Sequence, residues 1–120
     1  MNTKEAFFKD MAESLDYWTE TTLSAITSDD DGTRSSEDSE SFKNLQSILM
    51  KNGADKKDIE KMLFGCLRGV SHSFLNILDG ATSISDDGRK VFLVDEKGQL
   101  LGEGLHHDFI GYLFDTGRLK

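Results

Sequence analysis

The chain has 120 residues, 22 acidic against 14 basic, for a formal net charge of −8, and it contains no proline and a single cysteine, Cys66. That charge disfavours nucleic acid and anionic membranes as partners, and one cysteine excludes an intrachain disulfide and fits a reducing cytoplasm. No stretch approaches the ~20 consecutive apolar residues of a membrane span, and the start, MNTKEAFFKDMAESL, lacks the continuous apolar run of a signal peptide.

The first predicted element is a helix from about Lys4 to Ile26 with Thr3 as its cap. Phe7, Met11, Leu15, Trp18 and Thr22 recur at spacings of three or four, flanked by Phe8, Ala12, Thr19 and Leu23. Glu5, Asp10, Glu13, Asp16 and Glu20 take the opposite face.

Next comes TSDDDGTRSSEDSE, residues 27–40, with six carboxylates and one arginine. It has no apolar side chain to bury, so nothing offsets the entropy of ordering it, and a mobile acidic surface loop is expected. Laid on a calcium-binding loop with Gly32 at the sixth position, the tract puts Thr27 where the first Asp is needed and Asp38 where the last Glu is needed. Two defining ligands are therefore wrong, and no metal is assigned. Outside this tract the chain is only −3, and residues 41–80 carry six bases against four acids.

A second helix is predicted over 40–52, capped by Ser39, striped by Phe42, Leu45, Ile48 and Leu49, and stopped by Gly53. A third starts after Asp55 and runs to about Leu78, with Asp79-Gly80 as its stop. Its stripe of Ile59, Met62, Leu63, Cys66, Val70, Phe74 and Ile77 predicts a core-facing side. Gly65, Gly69 and Ser73 share a second ridge. Glycine inside a helix costs up to ~1 kcal/mol relative to alanine, so close packing on the first helix is expected there, with a homodimer seam as the alternative.

The period then changes. KVFLVD, residues 90–95, reads as a strand, Glu96-Lys97-Gly98 as a turn, and 99–102 as a returning strand. This hairpin needs support from other elements, and its edge is a second possible dimer contact. A short helix from about Leu105 to Phe114 closes the chain before Gly117. The order is three helices, a β-hairpin and a short C-terminal helix: a mainly helical α+β fold in one domain, 1–120.

Chemistry-bearing residues are few. His106 and His107 precede Asp108 after a glycine-rich hinge containing Glu103, and a histidine beside a carboxylate can move a proton near neutrality. Adjacent helical residues point about 100° apart, so they do not form a triad by themselves. Cys66 lies in an apolar stripe, two histidines fall short of a zinc set, and Gly98, Gly102 and Gly104 do not match a dinucleotide fingerprint. No catalytic residue, metal or cofactor is assigned.

In size, charge and architecture the chain resembles bacterial toxin-immunity proteins of the contact-dependent or polymorphic-toxin type. The residues that carry this resemblance are Asp29, Asp30, Asp31, Glu37, Asp38 and Glu40 of the tract, with Asp10, Glu13, Asp16 and Glu20 of the first helix. The resemblance implies a cytoplasmic inhibitor that lays carboxylates over the cationic active site of a basic, nuclease-like toxin. The alternatives are a small enzyme or sensor using His106 and His107 with a nearby carboxylate, or a dimeric regulatory scaffold.

Overall fold

The computed structural model describes residues 1–27, 39–85 and 88–120, and of Ser39 only the backbone. Among the described residues four helices form: α1, Thr3–Thr27; α2, Ser39–Lys51; α3, Lys56–Leu78; and α4, Leu105–Asp115. Among the described residues none is long and apolar enough to cross a membrane.

The helix ends follow local chemistry. The Asn2 side chain accepts the Glu5 amide at 2.8 Å while Glu5 reaches back to the Asn2 amide at 3.4 Å, a reciprocal cap one residue earlier than the predicted Thr3. Asp55 caps α3 as expected, accepting the Lys57 amide at 2.9 Å. α2 closes at Gly53, where the Ala54 amide returns to the Leu49 carbonyl at 3.0 Å.

The β-hairpin is not present. The described residues contain no strand or sheet, only three isolated bridges, Asp79–Phe92, Ile84–Arg89 and Val94–Leu100, so the fold is helical and the α+β expectation is overturned. The predicted turn does form. Asp95 accepts the Lys97 and Gln99 amides at 2.8 and 3.0 Å, and the Asp95 amide reaches the Gln99 carbonyl at 2.8 Å. Two residues before Asp95, the Leu93 amide bonds the Leu78 carbonyl at the end of α3, at 2.8 Å. The segment is thus tied to a helix end, and its pairing with residues 99–101 stops at one bridge.

The chain divides into two compact units, Met1–Glu13 with Arg68–Lys120, and Ser14–Leu67; α1 and α3 contribute to both. The first unit buries Phe8, Ala12, Leu75, Leu105, Phe109 and Leu113. Phe8 packs its ring 5.3 Å from Phe109 and 6.0 Å from Tyr112. Burying a side chain such as Phe109 stabilises by about 2–3 kcal/mol, which makes these rings the main tie between α1 and α4 in this unit. The Lys4–Asp108 ion pair joins the same two helices at the surface.

The second unit buries Leu15, Ala25, Ile26 and Ile59, and Thr19, whose hydroxyl donates to the Leu15 carbonyl at 2.6 Å. Of the predicted α3 stripe, Ile59 is buried, but Met62, Cys66, Val70 and Phe74 are exposed. Periodicity identified an apolar face, and most of that face is left uncovered.

The ridge is uncovered too. Among the described residues a Cβ placed on Gly65 or Gly69 would meet no atom within 4 Å, so neither glycine admits any of the described helices at close range. Gly65→Ala and Gly69→Ala should each stabilise the monomer by up to ~1 kcal/mol, read as a higher urea midpoint. Loss of stability instead, together with dissociation of a dimer in sedimentation, would mark the ridge as a seam between copies.

Candidate functional site

Two places hold the chemistry. The first is the junction of α3 and α4, within the unit Met1–Glu13 with Arg68–Lys120. α4 starts at Gly104, which has a left-handed backbone, φ 69°, and supplies no side-chain cap. Asp79, one residue past the end of α3, takes over that role. Its carboxylate is fully buried and accepts the Nδ1–H of His106 at 2.6 Å, the His106 amide at 3.3 Å and the Ala81 amide at 3.0 Å. One carboxylate therefore closes the turn after α3 and caps α4, where the helix dipole favours negative charge.

Burial by itself would push the Asp79 carboxyl up. The side-chain and backbone hydrogen bonds from His106 and the backbone bond from Ala81 outweigh it, and the group is held below the usual carboxylate range. The turn also depends on Gly80. It has φ 73°, and a Cβ there would lie 2.3 Å from the Phe92 ring. A left-handed backbone and a ring stacked on it both call for glycine.

The histidines meet here. The His106 ring centroid lies 4.1 Å from that of His107 and 5.3 Å, edge to face, from that of His72. The His106 side chain is 13% exposed, and His72 Nδ1 is buried with no hydrogen-bond partner. The carboxylate that orients His106 is Asp79, not the predicted Asp108 or Glu103. Asp108 is engaged by Lys4, and Glu103 is exposed. His72, on α3, belongs to the cluster through its ring contact with His106. The Asp79 contact at Nδ1 fixes the orientation of the His106 ring. Among the described residues no group of three or more His, Cys, Asp or Glu is arranged to hold a metal ion.

The second place is the surface of the unit Ser14–Leu67. Tyr17 and Trp18 lie on α1 with ring centroids 5.2 Å apart, edge to face, and are 58% and 54% exposed. Asp16, half-buried, and Glu20, exposed, flank them in sequence. Leu45, Ile48, Met50 and Met62 of the same unit are exposed as well. The unit carries eleven acids against six bases.

Of the other predicted partner-binding acids, Glu40 is exposed at the start of α2. Asp10 and Glu13 lie on the part of α1 in the other unit, both exposed, with Glu13 paired to Lys9 at 2.7 Å. Asp29, Asp30, Asp31, Glu37 and Asp38 lie outside the described residues. The sequence reading placed Trp18 in the apolar stripe of the first helix, and its exposure corrects that.

Comparison with known proteins finds no match: no family model, no curated protein and no solved structure corresponds to the chain.

Proposed function

We propose that this chain is a binding protein for a basic protein partner, and that it acts as an immunity protein masking the cationic site of a nuclease-like toxin. The observation that carries the reading is the exposed Tyr17–Trp18 pair in a unit with eleven acids against six bases. Aromatic side chains supply large contact area at low entropic cost and dominate binding energies, while surrounding carboxylates select a cationic partner and speed encounter. Six of those eleven acids belong to the tract 27–40, so the acidity of the unit comes from the tract. In this reading the acids set the association rate, and the aromatic and aliphatic side chains set the dissociation rate.

The experiment is a kinetic one. The partner is sought in the product of the neighbouring reading frame of the source genome. Changing Asp29, Asp30, Asp31, Glu37, Asp38 and Glu40 to their amides should lower its association rate by about ten-fold or more at low salt, and by much less at high salt. An unchanged rate would remove the tract from the interface. A partner that is not basic would remove the reading itself.

A second reading, proton transfer at His106, has the Asp79–His106 hydrogen bond in its favour. A carboxylate on one ring nitrogen fixes the orientation of the other, as an acid–base residue needs. Full biological activity of His106→Ala and His107→Ala proteins would dismiss it.

A further inference from the structure

Exposure alternates along the segment that follows α3. Lys90, Phe92 and Val94 are exposed, as is Glu96 where the turn begins, while Val91, Leu93 and Asp95 are half-buried. That period of two marks extended backbone with one side-chain face on the surface. Phe92 and Val94 are 47% and 48% exposed, and Leu100, bridged to Val94, adds a third apolar side chain, 53% exposed, to the same face. We propose that this segment is a self-association edge, on which a second copy of the chain docks antiparallel through its own residues 90–96.

The main chain supplies the edge. In extended backbone the N–H and C=O of successive residues point to opposite sides. The Leu93 and Asp95 amides are taken by the Leu78 and Gln99 carbonyls, each at 2.8 Å, and the Leu93 carbonyl accepts the Leu101 amide at 3.1 Å. Those bonds lie on one side. The N–H and C=O of Phe92 and Val94 point to the other, where no backbone group among the described residues bonds them. An edge with exposed apolar side chains and unpaired main-chain groups is a template for another extended chain.

The sequence selects the occupant. Antiparallel pairing about a two-fold axis at Leu93 sets Phe92 opposite Val94 of the copy, and Val94 opposite its Phe92. Both residues present N–H and C=O on the open side, so the two copies exchange main-chain hydrogen bonds there. The same register sets Lys90 opposite Glu96 of the copy, and symmetry repeats that pair at the other end. A two-fold axis at Phe92 would set Lys90 against Val94 and Glu96 against Gly88, and both charge pairs would be lost. A base at one end of the apolar run and an acid at the other therefore match a reversed copy of the same run.

The test is sedimentation equilibrium of the full chain from about 10 μM to about 1 mM, where the wild type should form a dimer with a Kd below about 100 μM. Lys90→Glu and Glu96→Lys each set like charges together at both ends and should weaken the dimer by at least about ten-fold. The double variant Lys90→Glu/Glu96→Lys restores opposite charges and should recover the wild-type Kd. Both positions are exposed, so these changes leave folding intact. Val94→Pro removes an N–H that no backbone group of its own chain accepts, and should abolish the dimer. A wild type that stays monomeric throughout would overturn the proposal. So would a dimer that neither single charge variant weakens, or one that the double variant does not recover.

Discussion

Replacing Asp79 with alanine should cost about 3 kcal/mol or more of folding stability, because each buried donor left without an acceptor costs about 1–3 kcal/mol. The change removes a fully buried carboxylate and strands three donors, the His106 ring N–H, the His106 amide and the Ala81 amide. For a chain of this size, melting should fall by on the order of 10–20 °C. Asp79→Asn keeps the shape and part of the acceptor capacity, so a smaller loss is expected.

The pH dependence has a definite sign. The Asp79 carboxyl is held below its ordinary value of 3.8, so its contribution is fully present above that pH. It is lost as pH falls from there through the lower native value. Acid unfolding of the wild type should therefore include a limb below about pH 4 that Asp79→Ala lacks, measured by urea denaturation across the acid range. An Asp79→Ala protein with wild-type stability would show that the cap on α4 has little energetic weight.

The helices were legible because their signals are local. The three-and-four spacing along α1, the Asp55 cap and the Gly53 stop lie within a few residues of what they control. The buried face of α1 nevertheless runs through Phe8, Ala12, Leu15 and Thr19, and of the predicted stripe Phe7, Met11, Leu15, Trp18 and Thr22 only Leu15 is buried. The hairpin failed for a tertiary reason: KVFLVD has strand chemistry, but the Leu93 amide is taken by the Leu78 carbonyl. The Asp79–His106 pair was hidden for the same reason. The two residues are 27 positions apart, and Asp79-Gly80 looks like an ordinary helix stop until the start of α4 is brought to it. Periodicity also cannot say whether an apolar face is covered, which is why Met62, Val70 and Phe74 were expected inside and are found outside.

The second large effect is expected at Trp18. It is 54% exposed and held edge to face by Tyr17, so it offers a pre-positioned aromatic anchor whose removal does not empty a core. Trp18→Ala should leave folding stability within about 0.5 kcal/mol of wild type, as for a surface substitution. It should weaken binding to the proposed basic partner by about 2–4 kcal/mol, or roughly thirty-fold to a thousand-fold in Kd. The loss should fall on dissociation. Neutralising Asp16 and Glu20 should instead slow association and flatten its salt dependence.

Calorimetric titration of the basic partner with wild-type and Trp18→Ala proteins, alongside their urea midpoints, tests the central claim most directly. The binding account predicts a Kd weakened by at least about thirty-fold at unchanged stability. Equal affinities would contradict it. So would an affinity loss matched by an equal loss of folding stability, which would return Trp18 to the interior role that its helical spacing first suggested.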